Sequence, residues 1–342
     1  MTVNNNCAVI FGGSGFIGVH FAEYLCELSL YSKIYLVDIA SVEEKGISVR
    51  SKQLKRLSRT EFIELDVRNT INFFPGERVD LIANFAAIHR EPGHADSEYY
   101  DTNLLGAQNV CCWASKVDCQ NLIFSSSISP YGISEEIKNE ASMPVPVTAY
   151  GGSKLVAEKI HETWQAQKNG RSLIIVRPGV VFGPGEGGNV SRLIKAVRNR
   201  YFFYMGNKHT RKAGIYVKEL CRAMIWVLNS EKTKTDGVLL FNMSMNPGPS
   251  IQEYVEAIAR VAKIKIWVPS MPSFLLFAVA YIIEAVARPL SIHHPFSPVR
   301  IKKLVRSNNI LPTYLLKQGY EYKYNLEEAF IDWKRCSPEE WH

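Results

Sequence analysis

The chain has 342 residues, 46% hydrophobic and 21% charged, enough for one large α/β unit or two domains and close to the globular average. That composition excludes a disordered, collagen-like or coiled-coil protein. The net charge of +7 favours anionic ligands such as phosphates; the basic residues between positions 288 and 323 alternate with apolar ones and no nucleic-acid motif accompanies them, so no nucleic-acid partner is expected.

Seven cysteines, an odd number without CxxC spacing, point to a reducing compartment and a cytoplasmic protein, and no metal site is expected. The polar start at residues 1–6 has neither a basic n-region nor a cleavage site, so no signal peptide is expected. The longest uninterrupted apolar stretch, 274–283, is short of the ~18 residues a spanning helix needs. A peripheral membrane contact, a core helix or an oligomer face all stay open for residues 272–283.

Along the chain, short β-branched and apolar runs at 8–11, 34–39, 62–65, 81–87, 122–125 and 173–176 are each followed by a longer amphipathic or polar segment. This is the spacing of strand, crossover helix, strand. Because the runs are apolar on both faces, they predict a doubly wound parallel sheet covered by helices on both sides, an α/β fold. Beyond Arg177 come a Gly/Pro-rich stretch at 178–189, a basic helical stretch at 190–200, a late strand at 238–242 and, from 247 onward, helical patterns punctuated by prolines. These predict a smaller, mostly helical lobe.

Directly after the first strand, Gly12, Gly15 and Gly18 form a G-x-x-G-x-x-G turn that opens a helix at Phe16 and Ile17. Such glycines permit a tight turn, a close approach of backbone amides to a pyrophosphate, and helix against strand, and the helix N-terminus adds positive dipole. The second strand ends in Asp38, an acid placed to accept the ribose hydroxyls of an adenosine, and no arginine follows at Ile39 or Ala40 to receive a 2′-phosphate. The expectation is a Rossmann-type domain that binds NAD in preference to NADP, formed by residues 1–178 with 212–244. Residues 179–211 with 245–342 then form the substrate-binding lobe.

Tyr150 and Lys154 are four apart at the start of a helix, so they share a face, and an ammonium there lowers a phenol's pKa. Such a tyrosine can take a proton from a substrate hydroxyl while hydride leaves the same carbon. Tyr204 and Lys208 have the same spacing without strand or glycine context. The first pair has a partner in Ser125, Ser126 and Ser127 at the carboxyl end of the fifth strand, where ligands sit in open α/β sheets, although three serines in a row leave the choice of hydroxyl open.

Together these residues resemble the extended short-chain dehydrogenase/reductase superfamily, in its NAD-dependent epimerase/dehydratase branch, over about residues 8–242. Asp66 and Val67 resemble its adenine-contacting pair. Asn84-Phe85-Ala86-Ala87 is similar to its H-x-A-A segment with asparagine for histidine. Asn103, Gly106 and Asn109 resemble its N-x-x-G-x-x-N helix, and Arg177-Pro178 through Gly185 its R-P segment. The resemblance implies Ser127 as the catalytic hydroxyl, Tyr150 as the general acid/base and Lys154 as the cofactor-binding cation, with cofactor contacts from Gly12, Gly15, Phe16, Ile17, Gly18, Asp38, Asp66, Val67, Ala86, Ala87, Asn103, Tyr150, Lys154 and Pro178. It also implies a homodimer, through residues 99–113, and a nucleotide-sugar substrate.

For that substrate the resemblance and the local chemistry offer Ser127, Asn189, Arg192, Arg211 and Lys212, with His89 as a second acid/base. Lys212 falls where many members have a diphosphate-binding arginine and lacks its bidentate fork. The family's 4,6-dehydratases carry Asp-Glu after the catalytic hydroxyl, where this chain has Ile128 and Ser129, which disfavours dehydration. The expected activity is an NAD-dependent nucleotide-sugar epimerase, by transient oxidation of a ring hydroxyl and return of the hydride. Its alternatives are a dehydrogenase or ketoreductase of such a sugar or of a 3β-hydroxysteroid-like substrate, and a dinucleotide-sensing protein without catalysis.

Overall fold

The computed structural model describes residues 5–46, 48–91, 93–132, 134–230, 237–272 and 307–342. Seven parallel strands form one sheet: β1 (Asn6–Phe11), β2 (Lys33–Asp38), β3 (Thr60–Glu64), β4 (Arg78–Asn84), β5 (Asn121–Ser125), β6 (Ser172–Pro178) and, after β7 (Val180–Phe182), β8 (Tyr204–Met205) and β9 (Gly214–Tyr216), the edge strand β10 (Gly237–Met243). Their order is β10-β6-β5-β4-β1-β2-β3. The chain builds outward from β1 in one direction and then from β4 in the other, so the switch point lies between the ends of β1 and β4, where open α/β sheets bind ligands.

Alternate residues of each strand enter opposite cores. Cys7, Val9 and Phe11 of β1 face α3 (Asp96–Lys116) and α4 (Ala149–Ala166), packing with Ala107, Val110, Trp113, Ala157 and Trp164. Ala8 and Ile10 face α1 (Phe16–Glu27) and α6 (Val217–Leu228), with Phe21, Leu25, Leu220 and Met224. A sheet buried on both sides explains why the strands read as unbroken apolar runs.

The remaining α-helices among the described residues are α2 (Ser48–Leu54), α5 (Asn189–Arg198), α7 (Ile251–Ala262), α8 (Thr313–Lys317) and α9 (Leu326–Cys336). Two small parallel ribbons join them, β7 with β9 and β8 with β11 (Ser270–Met271). Among the described residues, the chain beyond β6 is therefore helical with two ribbons that the sequence pattern did not predict. Phe182 anchors it, 5.5 Å from Phe330 and 6.3 Å from Trp333 between ring centres. The same apolar cluster continues through Ile194, Tyr254 and Trp333 to Ile10 under the sheet, so the helices beyond β6 and that side of the sheet share one core. The apolar stretch at 274–283 lies outside the described residues.

Candidate active site

The turn after β1 admits only glycine at several points. Gly12 has φ of +76°, and a Cβ there would stand 2.8 Å from Ala86 N beyond β4. A Cβ on Gly18 would meet Gly12 O at 2.3 Å. Gly13, which the spacing argument passed over, is as confined: its Cβ would lie 2.6 Å from Leu36 Cα of β2. The Gly12 and Gly13 amides donate to Val37 O at 2.8 and 3.1 Å and bind the turn to β2. Gly15 is the N-cap of α1 and no side chain caps that helix, so its first turn, beginning at Phe16 and Ile17, is open to an anion. This cradle fits a dinucleotide pyrophosphate.

Asp38 ends β2 beside the cradle. Its carboxylate accepts from Ser14 N at 3.2 Å and Ile39 N at 2.8 Å, and Lys45 reaches both Asp38 Oδ1 at 2.9 Å and Ser14 Oγ at 2.6 Å. Lys45 was not foreseen, because its seven-residue separation from Asp38 gives no sequence signal. After β3, Asp66 is gripped by Arg68 at 2.8 and 2.5 Å, which holds its carboxyl below the usual range. Val67 lies against Gly106, and its carbonyl accepts from Asn109 at 2.8 Å.

Across the switch point, Ala86 and Ala87 follow β4 in a segment fixed by Asn103. The Asn103 amide receives Ile88 N at 2.9 Å and donates to Ile88 O at 3.2 Å and Ser153 Oγ at 2.9 Å. Its polar atoms are thus committed within the protein, and it shapes the wall of the cleft. Pro178 ends β6, and its carbonyl accepts from Ile128 N at 3.2 Å.

The three serines after Phe124 separate in space. Ser125 ends β5 and is buried, and Ser126 donates to Glu158 at 2.5 Å. Ser127 receives Ser129 N at 3.1 Å and donates to Ser129 Oγ at 3.2 Å, and its hydroxyl is close enough to the Tyr150 phenol to lower it. Tyr150 stands in the first turn of α4, capped by Thr148, which accepts from Gly151 N at 3.1 Å. Burial pushes its phenol up to about 12 against the lowering influence of the Ser127 hydroxyl, with the charges of Glu91 and Tyr99 adding to the rise. The expected lowering by Lys154 does not figure among these influences. Lys154 lies 4.5 Å from the centre of the Phe124 ring, and burial brings it down to about 7 against the opposing charge of Glu158.

Behind this pair lies a polar cluster that the motif reading missed. Glu158 is fully buried and receives Arg177 Nε at 2.8 Å and Nη2 at 2.6 Å. Arg177 in turn covers the Tyr131 ring at 4.6 Å, and Tyr131 donates to Asn242 on β10 at 2.8 Å. His161 stacks on Phe124 with ring centres 4.1 Å apart, shares a hydrogen bond of 3.1 Å with Asn84, and is brought by burial to about 4. Lys154, Glu158 and His161 occupy one helical stripe, a spacing visible in the sequence but unexpected in polar residues facing a core.

The residues expected to hold substrate do not all converge. His89 follows β4 with an exposed side chain, and its surroundings and then the charges of Arg90 and Lys154 keep its imidazole below the usual value. Asn189 and Arg192 pair with each other at 2.7 Å on an exposed side of α5. Arg211 is directed to Gly248 O at 2.5 Å and Glu253 at 3.7 Å, at the N-terminus of α7. Lys212 bridges in backbone register to Asn308 and is lowered to about 8 by burial against Glu135. Among the described residues no cluster of three or more His, Cys, Asp or Glu side chains forms a metal site.

A glycine cradle, an acid at the end of β2 and a Ser-Tyr-Lys group at the carboxyl ends of the strands define a dinucleotide-dependent α/β protein of the short-chain dehydrogenase type. The family model described as the NAD dependent epimerase/dehydratase family matches residues 8–241, and the chain belongs to that family. NAD as the expected cofactor agrees with it. An Escherichia coli O157:H7 relative named N-acetyl-alpha-D-glucosaminyl-diphospho-ditrans,octacis-undecaprenol 4-epimerase is 28% identical over 73% of this chain and 75% of its own. The UDP-glucose 4-epimerase of Bacillus subtilis is 24% identical over 74% and 81%. Among solved structures, the UDP-glucose 4-epimerase of Thermotoga maritima with UDP-glucose has a TM-score of 0.73 at 19% identity, covering 98% of this chain and 100% of that one. The UDP-glucuronic acid 4-epimerase of Bacillus cereus with NAD has a TM-score of 0.73 at 17% identity, with the same coverage. Both show the same fold.

Proposed function

We propose that the protein is an NAD-dependent 4-epimerase of a sugar carried on a diphosphate, with a nucleotide sugar as substrate. The observation that carries this is the Ser127-Tyr150-Lys154 group beside the glycine cradle, with Ile128 and Ser129 where a dehydratase would need an acid and a base. Named relatives that are 4-epimerases support it.

When bound, NAD supplies the acceptor and then the donor of a hydride. Tyr150 takes the proton of the ring hydroxyl through its Oη as the ketone forms and gives it back on reduction. Ser127 hydrogen-bonds the phenol and the reacting oxygen, which fixes the direction of transfer. Lys154, with a pKa of about 7, gains its proton readily when an anion develops nearby and so opposes the rise that burial imposes on Tyr150. Asp38 holds the adenosine ribose, the first turn of α1 holds the pyrophosphate, and Asp66, Val67, Ala86, Ala87 and Pro178 line the remainder. Residues 1–178 with 212–244 form the cofactor domain, which also carries His89 and Lys212, and 179–211 with 245–342 form the substrate lobe.

A second reading, a lipid-linked sugar diphosphate, is favoured by one observation. The Escherichia coli relative carries such a substrate in its name, and Lys212 offers a point charge without the fork of an arginine. Residues 272–283 are then a peripheral membrane contact. Free thiols at all seven cysteines support a cytoplasmic protein, and the exposed Tyr100 and Leu105 of α3 with Val156 of α4 support a homodimer through that helix pair.

The test is purified protein with NAD, offered UDP-, GDP- and dTDP-sugars and a polyprenyl-diphosphate N-acetylglucosamine, with products separated and weighed. An isomer of unchanged mass without accumulated NADH is expected. Stoichiometric NADH with a product two hydrogens lighter would establish a dehydrogenase instead. Turnover of the lipid-linked sugar alone would establish the second reading.

A further inference from the structure

The outer end of the second lobe carries a surface that the proposed reaction does not use. β8 and β11 pair with Tyr204 beside Ser270, and Tyr204 N donates to Pro269 O at 2.9 Å. Three residues upstream of that pair on each segment stand Tyr201 and Trp267, 58% and 85% exposed. Trp267 is the most exposed large hydrophobic side chain among the described residues, whereas Trp113, Trp164, Trp333 and Trp341 are buried. A folded core has no place for such a pair, and water is a poor solvent for both.

Cations lie close to them along the chain. Lys263 and Lys265 lie just before Trp267, Arg200 just before Tyr201, and Lys195 on α5, all exposed. A shallow cavity of about 450 Å³ beside them is lined by Lys263, Lys265, Ile264 and Ile266, with Glu256 as its acid and Arg260 neutralised by Glu327 at 2.8 Å. Among the described residues no ion pair joins Lys195, Arg200, Lys263 or Lys265 to a carboxylate. Aromatic side chains with an apolar body and a polar tip, ringed by lysine and arginine, suit the headgroup layer of a membrane with negative surface charge. No helix among the described residues is long and apolar enough to cross a membrane.

We propose that this face, formed by residues 195–201 and 263–267, docks on an anionic phospholipid surface, with Trp267 and Tyr201 entering the headgroup layer and the four cations facing lipid phosphates. The contact needs no epimerase activity, and it is measured without turnover.

The full chain is sedimented with vesicles of phosphatidylcholine alone and of phosphatidylcholine mixed equally with phosphatidylglycerol. Binding to the anionic vesicles, weakened by salt, is expected, together with quenching of tryptophan emission by lipids brominated in the acyl chain. W267S removes the quenching and weakens binding about ten-fold. K263Q/K265Q weakens it about 25-fold, at roughly five-fold per cation. Circular dichroism and thermal unfolding show that each variant is folded, and W267F, which keeps an aromatic anchor, rescues binding. No binding by the parent protein overturns the proposal. So does binding that W267S and K263Q/K265Q leave intact while polar substitutions within 274–283 abolish it.

Discussion

Replacing Glu158 with Gln tests how the cluster behind the cleft governs Lys154. The carboxylate is fully buried, takes two charge-assisted bonds from Arg177 at 2.8 and 2.6 Å, and receives the Ser126 hydroxyl. A glutamine keeps one acceptor, turns an NH2 toward a guanidinium donor, and leaves Arg177, 3% exposed, without a counter-ion. Breaking such a buried pair from one side costs about 3–5 kcal/mol. With an unfolding entropy of about 2.1 cal/mol/K per residue over 342 residues, the melting temperature falls by about 4–7 °C. E158Q/R177M removes both charges and loses less than E158Q alone.

The same change acts on the pH profile. Burial already brings Lys154 down to about 7, and Glu158 is the charge that opposes this, so E158Q lowers Lys154 further. The ammonium is present below its pKa and lost as pH rises through it. The alkaline limb of turnover therefore moves to lower pH in E158Q. Thermal unfolding by calorimetry and turnover across pH 5–10 read the two effects. An unchanged melting temperature with an unmoved alkaline limb would refute the reasoning.

Three further outcomes follow from the site. Y150F lowers turnover about 10²–10⁴-fold while NAD affinity by fluorescence titration stays close to the parent's, and S127A lowers it about 10²-fold; full turnover in Y150F would remove Tyr150 from the mechanism. G18A places a Cβ 2.3 Å from Gly12 O, so it loses NAD binding together with stability, measured by titration and melting. D38N removes the charge-assisted acceptor beside the cradle, so NAD binds about ten-fold more weakly and the preference over NADP narrows, whereas K45M, which frees Asp38 of its cation, widens that preference; equal NAD to NADP ratios in all three proteins would show that Asp38 does not set the choice.

The sheet was legible because its inner strands are buried on both faces: residues 8–11 and 34–37 carry an uninterrupted apolar signal that a one-sided strand lacks. The glycine turn was legible for a related reason, since Gly12 and Gly18 stand where a Cβ has no room. Gly13 escaped notice because its constraint comes from Leu36 on the neighbouring strand, a contact that no spacing records. The ribbons β7 with β9 and β8 with β11 were equally hidden, being only two or three residues long and paired across distant segments.

At the site, sequence alone determined which residue types meet: Tyr150 and Lys154 share a face because a helix repeats every 3.6 residues. Tertiary structure decided what their surroundings do. It gave the Ser126 hydroxyl to Glu158, and it closed Asn103 onto Ile88 and Ser153. It set Lys45 on Asp38 and turned Arg211 toward Glu253. It also raised the Tyr150 phenol, where the spacing had led one to expect a lowered one. The physical reason is that periodicity is a property of one segment, whereas burial and charge sum over every element packed around a group.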